Sequence, residues 1–175
     1  MKGQIIFVSG IHGVGKTTLC NTISEQIGIN SYSSSNLIRE FKELSSNKKT
    51  VDNVNKNQDI LLESIRLNIE EEREYILDGH FILIDENYEL KELPLSTFRD
   101  MNIKAIIILY EDVDIILERL SSRDEVSYTK DFIEDFQRKE IERGIEVAKI
   151  LDKPYKVLKS TNYKEILKEI ENIIR

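Results

Sequence analysis

Residues 5–17 read IIFVSGIHGVGKT, an apolar run that leads into a loop with three glycines and ends in a Lys-Thr pair. The run at Ile5–Val8 is β-branched and aromatic, which predicts a strand buried on both faces. The loop fits the pattern G-x-x-x-x-G-K-[ST], and the apolar spacing after it predicts a helix at Thr18–Ile27. A strand, a glycine loop and a helix in this order predict a site that wraps around phosphate groups.

The residue types of this loop suit an anion. We call residues 10–17 the phosphate cradle, because its glycines let the backbone curl so that successive N–H groups point inward, and the next helix adds its positive N-terminal dipole. We expect Lys16 to reach the β- and γ-phosphates of ATP and Thr17 to offer its hydroxyl to Mg²⁺. For His12, the simpler interpretation is a variable loop position. The residues expected to contact the nucleotide are Gly13, Val14, Gly15, Lys16, Thr17 and Thr18.

Beyond the cradle, apolar spacing predicts that strands and helices alternate. Further strands are expected at 29–33, 75–78, 103–110 and 155–158. Helices are expected at 37–44, from the end of a polar loop at 45–57 to about 73, from 112 or 114 to 119, at 130–151 and at 163–174, with Ser35 and Asn36 as candidate caps of the first. This alternation predicts an α/β fold of the three-layer P-loop NTPase type, with a five-stranded parallel sheet, in one domain of residues 1–175.

The bulk composition limits the function classes. With 40% hydrophobic and 33% charged residues, the chain is expected to form a soluble globular domain. The net charge of −7 argues against a general nucleic-acid binder, which needs a dominant basic face. The single cysteine, Cys20, indicates no dependence on disulfides, and no apolar run approaches the length of a membrane helix. We therefore expect a cytoplasmic protein.

A carboxylate follows the second strongly apolar strand. Asp78 comes after Tyr75-Ile76-Leu77, and the carboxyl ends of parallel strands lie on the ligand side of an open α/β sheet. We expect Asp78 to hold Mg²⁺ together with Thr17. The alternative is an ordinary turn, since Asp-Gly is a common turn pair. For His80, a role in the site and a packing role both remain open.

Arginines cluster after the third apolar strand. Arg119 and Arg123 lie four apart on one predicted helix, and Arg138 and Arg143 follow on the next. Phosphoryl transfer requires positive side chains around the transferring group, so these four are candidates for a lid over the phosphates. The alternative for each arginine is an ion pair with a neighbouring carboxylate: Glu118, Asp124, Glu140 or Glu142.

These motifs resemble the small adenylate kinases of the isoenzyme-6 type and, more distantly, the archaeal adenylate kinases. The matching pieces are Gly10-x-x-Gly13-Val14-Gly15-Lys16-Thr17-Thr18-Leu19, Leu37-Ile38-Arg39-Glu40, Ile76-Leu77-Asp78-Gly79-His80 and Glu118-Arg119-Leu120-x-x-Arg123. The resemblance implies ATP and Mg²⁺ as cofactors, with Asp78 and His80 on the metal and water side. It also implies that Arg123 belongs to a lid at about 121–135, and that Arg39 belongs to a short nucleoside-monophosphate-binding segment at about 33–57.

The leading hypothesis is transfer of the γ-phosphoryl group of ATP to a nucleoside monophosphate, with AMP as the expected acceptor. One alternative is an ATP-hydrolysing assembly factor that acts on a protein partner. Another is a kinase for a different small molecule or for a nucleic-acid 5′ end. A GTPase is disfavoured, because the nearest match to the guanine-reading Asn-Lys-x-Asp pattern, residues 47–50, ends in Thr50.

Overall fold

The computed structural model describes residues 3–44, 54–68, 74–123 and 127–174. In chain order the strands are β1 (Gln4–Ser9), β2 (Asn30–Ser33), β3 (Glu74–Gly79), β4 (Ile82–Ile84), β5 (Leu90–Glu92), β6 (Ile103–Tyr110) and β7 (Tyr155–Lys159). The helices are α1 (Lys16–Ile27), α2 (Ser34–Leu44), α3 (Val54–Asn68), α4 (Leu95–Asp100), α5 (Val113–Arg123), α6 (Lys130–Ile150) and α7 (Tyr163–Ile174). None of the helices within these ranges is long and apolar enough to cross a membrane.

The five-stranded parallel sheet predicted from the sequence is confirmed. Its strand order is β2-β3-β1-β6-β7, so β1 lies at the centre between β3 and β6. The register places Val8 opposite Asp78 on one side and Ile107 on the other. The end of β1, from which the phosphate cradle starts, therefore lies beside the end of β3, which carries the predicted carboxylate.

Apolar side chains cover both faces of the sheet. Successive residues of a strand point to opposite faces, and β1 divides accordingly: Ile5 and Phe7 belong to one buried cluster, Ile6 and Val8 to the other. Helices α3 and α6 contribute to the first cluster, and α1 and α7 to the second. This two-sided burial explains why β1 is a continuous apolar run rather than an alternating one.

The structure corrects several predicted boundaries. Helix α2 begins at Ser34, so Ser35 and Asn36 lie inside the helix instead of capping it. The Ser34 hydroxyl donates to the carbonyl oxygen of Asp78 at 2.8 Å, which ties the start of the helix to β3. Helix α3 begins at Val54, inside the predicted polar loop. Residues 45–53 and 69–73, at which the loop and the following helix were also predicted, lie outside the described residues.

An antiparallel hairpin of β4 and β5, followed by α4, was not predicted. Both strands are three residues long, too short for a clear period-2 pattern. The turn between them is held by the Asp85 carboxylate, which accepts hydrogen bonds from the amides of Asn87 and Glu89 at 2.8 and 2.9 Å. The hairpin matters for function because Leu83, in β4, lines the site described next.

Candidate phosphate-binding site

The phosphate cradle adopts a conformation that requires glycine. Gly10, Gly13 and Gly15 have φ values of +152°, +82° and +99°, which L side chains rarely adopt. At Gly13 the space is closed as well, because a Cβ atom there would lie 2.9 Å from Cγ of Leu120 in α5. The loop therefore wraps tightly against α5, and α1 begins directly after it at Lys16.

Lys16 lies across the cradle. Its Nζ atom donates to the carbonyl oxygens of Gly10 at 2.7 Å and Ile11 at 3.2 Å, and the residue is only 7% exposed. A buried ammonium group needs such oxygen partners. The charge is thereby held at the mouth of a loop whose backbone and helix dipole already favour an anion.

Asp78 and Thr17 come together as the sequence predicts. Asp78 is buried at the end of β3, and its carboxylate is hydrogen-bonded with the side chains of Thr17 and Ser33. Burial raises the pKa of Asp78, while the Thr17 hydrogen bond and the charge of Lys16 oppose that rise. All four residues line one cavity of about 380 Å³, which we call the cradle cavity.

The donor set of this cavity fits a hard divalent cation. A hydroxyl and a carboxylate oxygen, from Thr17 and Asp78, are ligand types that Mg²⁺ accepts, and Mg²⁺ usually takes its other ligands from water and substrate phosphates. Within the described ranges no group of three or more His, Cys, Asp or Glu side chains could hold a metal. Thr17 and Asp78 could hold a cation together with water and a bound phosphate.

The rings of the two histidines of the chain pack against each other at a tilt. The ring centroids of His12 and His80 are 4.4 Å apart with an interplanar angle of 46°, and both residues line the cradle cavity. Burial, followed by the charges of Lys16 and His12, lowers the pKa of His80 well below its usual value, so its ring is neutral at neutral pH. Its Nδ1 atom is buried without a hydrogen-bond partner. The structure thus places His80 in the site, and His12 packs on it.

Among the predicted lid arginines whose side chains the structure describes, Arg119 lies at the cradle. Its Nη1 atom donates to the carbonyl oxygens of Gly13 and Val14 at 3.1 and 3.0 Å, and the residue lines the cradle cavity. Its partner in the prediction, Arg123, is the last residue of α5, and its side chain lies outside the described part of the structure.

The other predicted arginines lie in ion pairs away from the cradle. Arg138 is exposed and pairs with Asp135 and Glu142 of its own helix. Arg143 pairs with Glu92 and Glu146 and donates to the carbonyl oxygen of Leu93. Both arginines thus form ion pairs with carboxylates, and neither lines the cradle cavity. Arg39 has a side chain that is 65% exposed, lies 4.0 Å from Glu43 and does not line the cradle cavity.

The sequence did not identify Glu140 as a site residue. It is 1% exposed in the middle of α6, and its carboxylate accepts hydrogen bonds from the amides of Phe81 at 3.0 Å and Ile82 at 2.8 Å. Burial raises its pKa to about 7, although those amides and the nearby charge of Lys16 act in the opposite direction. Glu140 thus holds the turn that follows His80, close to the cradle lysine.

A signal for Glu140 was present in the sequence. The buried face of α6 includes Ile133, Phe136, Gly144, Val147 and Ala148, and Glu140 continues that face at helical spacing. Gly144, one turn later, lets the helix approach closely, because a Cβ atom there would lie 2.7 Å from Cδ1 of Ile108 and 2.9 Å from the Phe81 ring. A charged residue at an apolar position of an amphipathic helix indicates a buried polar partner.

A second opening continues from the cradle on the side of Arg119. This side groove has a volume of about 420 Å³ and shares Gly15, Thr18 and Arg119 with the cradle cavity; its far wall includes Ser160 and Tyr163. Ser160 donates to the buried Glu111 carboxylate at 2.8 Å, so the loop after β7 has a defined position. Burial raises the pKa of Glu111, but hydrogen bonds from the Asp112 amide and Ser160, with the charge of Lys159, lower it overall.

Comparisons with solved structures show the same fold. A tunicamycin resistance protein from Deinococcus radiodurans matches with a TM-score of 0.60 and 15% identity, over 97% of this chain and 94% of that one. A shikimate kinase from Acinetobacter baumannii, in complex with shikimate, matches with a TM-score of 0.59 and 15% identity, over 97% of this chain and 92% of that one. A gluconokinase from Sinorhizobium meliloti 1021 matches with a TM-score of 0.53 and 13% identity, over 99% of this chain and 91% of that one.

Sequence comparison identifies the family. None of the curated proteins matches the chain. Residues 9–137, well over half of the chain, match the family model described as AAA domain, and the matched segment contains the cradle, Asp78 and Arg119. Nothing in these comparisons points to adenylate kinases in particular. The chain belongs to the AAA domain family and has the fold of P-loop small-molecule kinases.

Proposed function

We propose that this protein transfers the γ-phosphoryl group of ATP to a small-molecule acceptor. The observation that carries the proposal is the cradle cavity, in which Lys16, Thr17, Asp78 and Arg119 line one space of about 380 Å³. Cations beside a glycine loop suit the phosphates, and the hydroxyl and carboxylate suit their metal ion. Phosphoryl transfer depends on this positioning and charge stabilisation, with little covalent work for the protein.

Lys16 and Arg119 stabilise charge during the reaction and form no covalent bond with the substrates. The acceptor hydroxyl oxygen bonds to the γ-phosphorus, the bond to the β–γ bridging oxygen breaks, ADP leaves with that electron pair, and one proton is released to solvent. Lys16, held at the mouth of the cradle, and Arg119, held on its outer side, stabilise the negative charge that develops on the transferring group and on ADP. Thr17 and Asp78 would hold Mg²⁺, which would neutralise the phosphates further.

The side groove is the proposed site of the nucleoside. It opens from the cradle at Gly15 and Thr18, where a phosphate chain seated on the loop would leave it. The planar guanidinium of Arg119 and the ring of Tyr163 line this groove and offer surfaces for an aromatic base.

We further propose that residues 1–175 form one domain. We also propose that the start of α6 forms part of a lid over the cradle. The rings of Tyr128 and Phe132 stack at 5.7 Å, and those of Phe132 and Phe136 lie 6.2 Å apart. Phe136 in turn lies 6.3 Å from His12. This aromatic row leads from the start of α6 to the cradle, where a lid would exclude water and favour transfer over hydrolysis.

Replacing Lys16 with alanine tests the proposal. We expect Lys16→Ala to lower ADP production at least 100-fold in an assay with ATP, Mg²⁺ and an acceptor panel that includes AMP. Lys168→Ala, at an exposed position of α7, serves as the matched control and should retain full activity. Equal activity of the two variants would refute the role of the cradle. ADP production by the parent protein that no acceptor stimulates would favour an ATPase over a kinase.

A further inference from the structure

A second, smaller cavity lies against the cradle cavity. We call it the apolar cavity; its volume is about 90 Å³, and it lies between the sheet and helices α2, α3 and α4. Most of its wall is hydrocarbon or aromatic ring, and the described residues that line it include no charged side chain. The main apolar contributors are Phe7, Ile38, Leu61, Leu93, Phe98 and Met101.

The two cavities share part of their walls. Ser35, His80 and Leu83 line both of them. One end of a molecule in the apolar cavity would therefore lie next to the space that contains Lys16 and Asp78. The position matches what an acceptor needs, because the attacking atom must come within about 3–3.5 Å of the group that it attacks.

The wall contains two buried polar atoms without a hydrogen-bond partner. One is Nδ1 of His80 and the other is Oε1 of Gln58. A hydroxyl group can donate to the Gln58 oxygen, and it can donate to Nδ1 of His80 or accept from it, according to which ring nitrogen carries the proton. Leaving such atoms unpaired inside the protein is costly, and a bound hydroxyl group would remove part of that cost. Both atoms are therefore available to a ligand that carries a hydroxyl group.

We propose that the apolar cavity binds the phosphoryl acceptor and that this acceptor is a compact, uncharged, largely apolar alcohol. This inference rests on the proposed function and names its substrate class. The apolar wall accommodates a small hydrocarbon ring or chain, and the hydroxyl group supplies the donor at the end shared with the cradle cavity. A phosphate-bearing acceptor such as AMP fits this wall poorly, because burying its charge without a cation is costly.

Benzyl alcohol is a suitable probe, and toluene is its matched control without a donor. We expect benzyl alcohol to bind the full-length protein in the absence of ATP, with amide chemical-shift changes confined to residues around the cavity, and to bind about tenfold more tightly than toluene. His80→Leu removes the unpaired nitrogen at the end shared with the cradle cavity and should reduce that preference. Ile38→Trp fills the cavity and should abolish binding of both probes. Ile60→Trp, on the adjacent helix α3 but outside the cavity wall, should leave the binding of both probes unchanged.

Three outcomes would overturn the proposal: no binding of benzyl alcohol to the parent protein, equal affinity for benzyl alcohol and toluene, or unchanged binding by Ile38→Trp. If Ile38→Trp does not fold, the His80→Leu comparison decides. Because binding is measured without ATP, its failure is distinct from failure of the kinase proposal, which the Lys16→Ala assay tests separately. Detectable phosphorylation of benzyl alcohol, abolished by Lys16→Ala, would support both.

Discussion

At the scale of single residues, the turn that follows His80 is held by a carboxylate far away in the chain. Glu140 is buried in α6 and accepts the amides of Phe81 and Ile82 directly after His80. A buried carboxylate is costly without hydrogen-bond donors. Because the amides of Phe81 and Ile82 supply these donors, the turn and the carboxylate hold each other in position. The raised pKa shows that burial outweighs these hydrogen bonds and the attraction of Lys16.

The titration of Glu140 predicts a specific pH dependence of stability. Burial raises its pKa from 4.5 in the unfolded chain to about 7 in the folded protein, so between these values only the folded state retains the proton. The Glu140 contribution is therefore fully present below pH 4.5 and is lost as the pH rises to 7, by about 3 kcal/mol in total. Glu140→Gln removes this contribution.

Urea unfolding of both proteins at a series of pH values measures the effect. The free energy of unfolding of the parent protein, minus that of Glu140→Gln, should fall between pH 4.5 and 7 and be constant above about pH 8. His80 acts in the opposite direction, because its lowered pKa adds stability as the pH rises to its unfolded value of 6.5. Subtracting the Glu140→Gln curve from the parent curve cancels the His80 contribution, because both proteins share it. A difference that does not change with pH would show that folding does not raise the pKa of Glu140.

At the scale of elements, α6 connects the cradle to the core. Its buried face packs on β6 and on the Phe81 ring, and the absence of a side chain at Gly144 permits that approach. The spacing brings Glu140, one turn earlier, within reach of the amides after β3. Helix packing and the position of a site residue thus have a common cause.

Gly144→Ala should therefore destabilise the protein. In an exposed helix this change stabilises by about 1 kcal/mol, because alanine has the higher helix propensity. Here the new Cβ atom would lie 2.9 Å from the Phe81 ring, and we expect a loss of about 1–3 kcal/mol in the free energy of unfolding, measured in urea. Glu134→Ala, which introduces the same residue on the exposed face of α6, should change stability by less than about 0.5 kcal/mol. A stabilised Gly144→Ala protein would contradict the close packing.

At the scale of the whole molecule, the strand order creates the site. Because β1 lies between β3 and β6, the end of β3 supplies Asp78 on one side of the cradle, and the helix after β6 supplies Arg119 on the other. Ligands of open α/β sheets bind at such a position, outside the carboxyl ends of the strands. The cradle cavity and the apolar cavity both lie beside the cradle, which begins at this edge of the sheet.

Nucleotide binding should therefore stabilise the entire domain. A ligand that binds only the folded state at 100 times its Kd adds about 2.7 kcal/mol to the free energy of unfolding. We expect Mg²⁺ and ATP to raise the melting temperature of the parent protein and to leave that of Lys16→Ala nearly unchanged, as measured by thermal unfolding. An equal rise in both proteins would show that the nucleotide binds elsewhere.

The sequence by itself determined the strand, loop and helix of the cradle, the alternation that makes a parallel sheet, and Asp78 at a strand end. These features follow from local residue types and periodicity, which do not depend on distant parts of the chain. Tertiary structure alone decided that Arg143 pairs with Glu92 of β5, that Glu140 contacts amides 58 and 59 residues away, and that Gln58 and His80 line one cavity. The physical reason is that burial and partners are set by packing between elements, and spacing along the chain does not encode which elements meet.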